Sequence, residues 1–219
     1  MGSEKYLTLL SKIFCKSEYQ RQCIEKCEEK FRSDDADRIL YKYIISYPDD
    51  KFTSDYIKHV YAMLILWNMN KRGAELSKIE VFTETIRENS EKIKQLSGDK
   101  LSEINDKSFE IFKDLFNNLT LVNTRSPLVT FAKTLHFFLP NLVVPIDRTY
   151  TCAFFGIYPN QKKGSENEFQ RDIFLNLHRA FGKFAQKYDL SSFVNNNSDW
   201  NQNIPKIIDN MLIGHSMIK

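Results

Sequence analysis

A chain of 219 residues, 42% apolar and 27% charged, can bury one sizeable core and lacks the composition of a disordered protein. Its net charge of +3 permits nucleic-acid binding through a local basic face but does not announce it. No apolar run nears the ~18 residues of a membrane span, no secretory signal is visible at the N-terminus, and four cysteines make no disulfide framework in a chain this long.

Seven glycines and six prolines against 17 phenylalanines and 10 tyrosines predict an all-α fold, read as one domain over 1–219. Residues 5–15 and 18–31 read as two short helices. The second carries Cys23 and Cys27 on one face, without the further Cys or His of a zinc site. Ser33-Asp34-Asp35 reads as a cap before "ADRILYKYIIS", and Thr53-Ser54-Asp55 as a cap before "YIKHVYAMLILWNMN". The latter is apolar nearly all round from Val60 to Trp67, which predicts a central, buried helix. Two amphipathic helices follow over 77–96 and 100–118.

"NTRSP" interrupts the chain, and "LVTFAKTLHFFL" resumes as a buried helix. "RTYTCAFFG" predicts a short helix ending at Gly156, and "YPNQKKGSEN" a loop with a basic tip. Residues 166–189 form a long amphipathic helix, "NNNSDWNQN" reads as polar and exposed, and "IPKIIDNMLIG" closes the chain as a final helix.

Two stretches carry chemistry. In "LPNLVVPIDRTYT" (139–151), Pro145 stiffens an apolar loop that delivers Asp147 to a helix start. Asp147 is then either an N-cap, worth about 1 kcal/mol, or a carboxylate held rigidly for reaction. In "LILWNMNKRGAEL" (64–76), a buried helix runs into Asn68, Asn70, Lys71 and Arg72. Such amides and bases either end the helix as a polar cap or hydrogen-bond bases and phosphates.

Together, "ILWNMNKRGA" and "SPLVTFAKTLHFFLPNLVVPIDRTY" resemble the helix–hairpin–helix superfamily of DNA base-excision glycosylases over roughly residues 53–156. The Asn-rich first element is similar to that of the oxoguanine-excising branch. Residues 1–50 and 166–219 would supply packing helices around this core.

The resemblance implies a DNA glycosylase with Asp147 as its catalytic carboxylate. It departs from the family in two ways: "NTRSPLV" replaces a Gly-rich hairpin, and no lysine stands near Leu128, where bifunctional members carry one. Lys133, 14 residues before Asp147, is left to pair with Asp147, hold phosphate or act as a displaced nucleophile.

Trp67, Asn68, Asn70, His136 and Tyr150 are candidates for contacting the extruded base. Asn70 and Arg72 are placed where the base leaves the stack, and Lys71, Arg125, Lys133 and Arg148 are candidates for phosphate contacts. His136 and Trp67 have packing alternatives.

The expected reaction is monofunctional hydrolysis of an N-glycosidic bond in double-stranded DNA, leaving an abasic site. A more particular resemblance is to compact bacterial anti-phage glycosylases acting on glucosylated hydroxymethylcytosine. A cytoplasmic monomer without metal or cofactor is expected. The alternatives are a noncatalytic DNA-binding or regulatory module, and a helical toxin or nuclease.

Overall fold

Few helix breakers interrupt the apolar periodicity, and helix follows helix along the chain. The computed structural model describes residues 2–31, 35–48, 50–70, 75–123, 127–158, 166–195 and 198–218. They contain α1 (Ser3–Ile13), α2 (Ser17–Lys30), α3 (Ala36–Ile45), α4 (Ser54–Leu66), α5 (Ile79–Glu88) and α6 (Ser90–Gln95). After them come α7 (Asp106–Asn118), α8 (Leu128–Phe138), the single turn α9 (Ala153–Phe155), α10 (Glu166–Lys187) and α11 (Ile204–Ile218). Among the described residues there is no strand, only an isolated antiparallel bridge between Leu76 and Val122. No helix among them is long and apolar enough to cross a membrane.

The core is organised around α8, all eleven residues of which are buried. Helices α4 and α10 pack against it, α1 packs on α10, and α11 lies along α2. Phe174, Leu177, Phe181 and Phe184 recur at helical spacing on the face of α10 that enters the core, each fully buried.

Thr53 caps α4 by accepting from the Tyr56 amide at 3.3 Å, as its sequence position suggests. Asp35 stands at the N-cap of α3, while Ser33 and Asp34 lie outside the described residues.

Several boundaries differ from the sequence reading. Helix α4 is buried on one face only, since Ile65 and Leu66 are exposed. The helix over 77–96 divides at Asn89, whose side-chain amide donates to the Thr85 carbonyl at 2.9 Å. The helix over 100–118 begins as a 3₁₀ turn, Leu101–Glu103, and restarts at Asp106 with Asn105 as cap. The basic tip at 159–165 lies outside the described residues.

The largest difference is the segment before α11. Trp200, Asn201 and Asn203 are buried, not exposed. Their polar neighbours serve the backbone of a tight turn: Ser198 Oγ accepts from the amides of Trp200 and Asn201, both at 3.1 Å. Asn203 Oδ1 accepts from the Lys206 amide at 2.9 Å at the head of α11. Polar side chains that satisfy buried backbone groups go inside with them.

Helices α2 and α11 touch backbone to backbone at Gly214. A Cβ there would lie 1.7 Å from the Cys23 carbonyl oxygen. Ala at an exposed helix position gains about 1 kcal/mol over Gly, so Gly214→Ala isolates the packing term with the opposite sign. It should lose about 3 kcal/mol or more in urea unfolding, because main-chain atoms must move to admit one methyl. Unchanged or increased stability would show that α2 and α11 are not in contact at Cys23.

Candidate active site

Helix α8 has no solvent face, so a charged side chain on it needs a partner inside the protein. Lys133 finds Asp147: Nζ lies 2.8 Å from Oδ2. The Lys133 side chain is only 7% exposed, whereas Asp147 keeps 24% of its surface open. The acid therefore sits at the boundary between the core and solvent, with its counter-ion behind it.

The loop between them is held by two buried histidines. His136 Nδ1 donates to the Val143 carbonyl at 2.7 Å, leaving Nε2 to accept from the Tyr41 hydroxyl at 2.8 Å. His178, on α10, accepts the Val144 amide at Nε2, 3.1 Å, and donates from Nδ1 to the Phe174 carbonyl, 3.0 Å. Next in the chain, Pro145 brings no N–H to be satisfied in the buried loop. On the outer side the Asn141 carbonyl accepts from the Leu101 amide at 2.9 Å.

The chain then turns through Arg148–Cys152 as a π-type turn, not the α-helix start expected from "RTYTCAFFG". Asp147 caps this turn: Oδ1 accepts from the Thr149 amide at 2.7 Å, and its own amide donates to Thr151 Oγ1 at 3.1 Å. The turn runs into α9 and stops at Gly156, whose φ of 63° is the left-handed conformation that favours glycine.

Burial by itself would raise the Asp147 pKa. The Lys133 ammonium, together with the amides of Thr149 and Tyr150, outweighs it and holds the carboxyl below its ordinary value. Asp147 is therefore ionised at neutral pH. Burial, reinforced by Asp147, pushes the neighbouring Cys152 thiol up to about 12, so that sulfur stays protonated and is no nucleophile.

The stretch 64–76 reaches this site through Trp67. Its half-buried indole lies 5.3 Å from Lys133 Nζ, stacks on Tyr41 at 6.2 Å and packs against Phe137 at 5.2 Å. Immediately after it, α4 ends in a Schellman motif. The Asn68 amide donates to the Ile65 carbonyl and the Met69 amide to the Leu64 carbonyl, both at 2.9 Å. Asn68 takes φ 61°, which Asn tolerates better than most residues, and remains exposed.

The other expected site residues are distributed as follows. Asn70 Oδ1 accepts from the Leu76 amide at 2.8 Å, so its carbonyl serves the chain itself. His136 is completely buried with both ring nitrogens bonded, which corrects its assignment as a base contact: it anchors the loop. Tyr150 is half-buried and its hydroxyl accepts from Lys30 Nζ at 2.7 Å. Arg148 is exposed beside Asp147. Lys71, Arg72 and Arg125 lie outside the described residues.

Sequence reasoning missed a second buried ion pair. On α11, Lys206 Nζ lies 2.6 Å from Asp209 Oδ2, with side chains 1% and 5% exposed. Lys206 Nζ also sits 3.9 Å from the Trp200 ring centroid and 5.7 Å from that of Trp67. The i, i+3 spacing was readable, but such spacing ordinarily marks a solvated helix face. Among the described residues, no group of three or more His, Cys, Asp or Glu could hold a metal ion.

No protein-family model, curated protein or solved structure matches the chain.

Burial drives His136 down to about 3 and His178 to about 4, so the folded protein holds both rings neutral. Their folded pKa values lie below the unfolded value of about 6.5, so this contribution is full above pH 6.5 and is lost as pH falls through the folded values. Urea unfolding should lose on the order of 2 kcal/mol per pH unit near pH 5, as two rings protonate only on unfolding. NMR of the folded protein at pH 5 should show neutral-form shifts for both rings. Imidazolium shifts there would refute the loop anchoring.

Proposed function

We propose that the chain is a DNA glycosylase that extrudes a base from double-stranded DNA and hydrolyses its N-glycosidic bond at Asp147. The observation that carries this reading is the state of Asp147: ionised, fixed at both oxygens, backed by a buried ammonium and a quarter open to solvent. When the bond from C1′ to the base breaks, its electron pair leaves with the base and positive charge develops on the sugar. A fixed carboxylate stabilises that charge in a low-dielectric site. Water then adds to C1′, and its proton goes to the departing base or to solvent.

The lowered pKa of Asp147 favours charge stabilisation over proton abstraction as its main part, because a weak base removes protons poorly. Lys133 has a matching part as an ion-pair partner. An ammonium engaged by a carboxylate is not a nucleophile until it loses a proton, which supports hydrolysis over a covalent Schiff base.

Trp67 offers an indole beside Lys133 on which an extruded base can stack, and Asn68, next to Trp67 in the chain, and Arg148, next to Asp147, are both exposed. In this reading Asn68, Asn70, Lys71, Arg72, Arg125 and Arg148 meet the DNA, and the protein works as a cytoplasmic monomer. The substrate class is a modified base, such as glucosylated hydroxymethylcytosine in phage DNA. Flipping costs a few kcal/mol for any paired base, and a defence enzyme has to spare the host genome.

A second reading has its own support. Both Asp147 oxygens already serve the chain, as expected of a purely structural acid in a noncatalytic DNA-binding module.

Asp147→Asn separates the two. On duplexes carrying candidate modified bases, it should lower base release about 100-fold or more, with DNA affinity preserved. It also strands the Lys133 ammonium, so Lys133→Met/Asp147→Asn, which removes both charges, serves as the stable companion. Unmodified turnover in both variants would remove Asp147 from the reaction. Strand cleavage should require added alkali, and borohydride should trap no adduct. A trapped Lys133–DNA adduct would establish a lyase in place of the hydrolase.

A further inference from the structure

Two acid–base pairs converge on Trp67. Lys133 Nζ lies 5.3 Å from its ring centroid and Lys206 Nζ 5.7 Å, while each lysine bonds a different aspartate, Asp147 and Asp209. The helix carrying Lys206 and Asp209, α11, packs on the Arg148–Cys152 turn that Asp147 caps. Lys206 is enclosed by aromatic rings, 3.9 Å from Trp200 and 5.6 Å from Tyr41.

The second pair is hard to explain as a strut. Lys206 and Asp209 are three residues apart on one helix, so their bond joins no two elements. Buried ion pairs are commonly no more stabilising than apolar residues of the same size. What a local pair can do across the core is set the charge that its neighbours experience.

We infer that Lys206 is a positioning residue for the Asp147 site, neutralising Asp209 so that Lys133 remains with Asp147. This deepens the glycosylase reading, taking Asp147 as its reacting carboxylate. Without Lys206, one buried lysine would face two acids, and Asp209 would compete for it.

The charges in the region support the assignment. Asp147 faces Lys133 from α8, with Arg148 and Cys152 in its own turn. Asp209 faces Lys206 on its own helix, Lys133 from α8, Asp147 from the turn, Tyr41 from α3 and Cys27 from α2. Burial raises Asp209, with Lys206 opposing; Asp147 raises it further and Lys133 lowers it, so the two pairs interact. Burial also raises Tyr41 and pushes Cys27 up to about 12, so both stay uncharged at neutral pH. Lys133 and Lys206 are therefore the ammonium groups that answer Asp147 and Asp209, while the Arg38 guanidinium lies on the Trp200 ring, 6.0 Å from its centroid.

The test compares the parent protein, Lys206→Met and Lys206→Met/Asp209→Asn. The double variant removes the pair without stranding a charge, which guards against a folding failure. The first readout is the titration of the Asp147 carboxyl by carbon NMR on the full chain without DNA. Lys206→Met should move the midpoint to higher pH, because a cation is lost and Lys133 is contested. The double variant should return it toward the parent, because the competing acid is gone.

Base release should follow the same order, falling about tenfold in Lys206→Met, the scale of coupling within a charge network, and recovering in the double variant. A packing defect at residue 206 would not be repaired by removing Asp209. An unmoved midpoint in Lys206→Met, or a shift that Asp209→Asn leaves in place, overturns the inference. If the parent releases no base, the glycosylase reading falls, while the titration still decides whether Lys206 governs Asp147.

Discussion

An ammonium group placed on a helix without a solvent face imposes a constraint that much of the structure answers. Lys133 rides on α8, all of which is buried, and an unpaired charge there would cost several kcal/mol. The chain brings Asp147 to it, and that requirement shapes everything from Leu139 to Gly156. An apolar loop has to cross the core, present one carboxylate at a fixed place and leave no backbone polar group stranded. His136 takes a carbonyl, His178 takes an amide, and Pro145 has none to offer. The histidines are neutral because they are buried, and being neutral lets each donate from one nitrogen and accept at the other.

The constraint extends beyond the first pair. Inward from Asp147, Lys133 and Lys206 lie against the same Trp67 ring, and Lys206 bonds Asp209. Tyr41 bonds both His136 and Asn203, and Asn210 Nδ2 donates to Asn201 Oδ1, whose own amide donates to Glu28. Buried networks of this kind specify one arrangement, because each group that loses its partner pays a desolvation cost. The segment 198–203 is the keystone: it inserts Trp200 against Lys206 and caps α11 with Asn203.

The helices were legible because their signals are local. Apolar periodicity, Thr53 at a cap and Gly156 at a stop each depend on residues a few positions apart. The capping place of Asp147 was legible for the same reason, since it stands alone after a proline-stiffened apolar run. The burial of 198–203 was not, since its asparagines look solvated until the turn they satisfy is in view. The Lys206–Asp209 pair was missed because a lysine and an aspartate three apart look the same on a wet face and a dry one. His136 resembled a site residue until Tyr41, 95 positions away, appeared at its Nε2. Asn68 was noticed for its amide, whereas its backbone conformation ends α4 and points the chain away after Trp67.

Capping and the proposed catalysis are not exclusive uses of Asp147, and the physical reason lies in how the cap orders the carboxylate. A free carboxylate near solvent rotates about its side-chain torsions and must be ordered before it can stabilise a neighbouring charge. Here Oδ1 is pinned by the Thr149 amide and Oδ2 by Lys133, so both torsions are already set. The two carboxylate oxygens offer about four lone pairs between them, more than Lys133 and the amides of Thr149 and Tyr150 occupy, so pinning leaves the acid able to face an approaching cation. For the proposed reaction, the cap and the ion pair thus supply in advance the ordering that a developing sugar cation would otherwise have to induce. Such an acid is ionised because of Lys133 and oriented because of the turn, and neither condition depends on substrate being present.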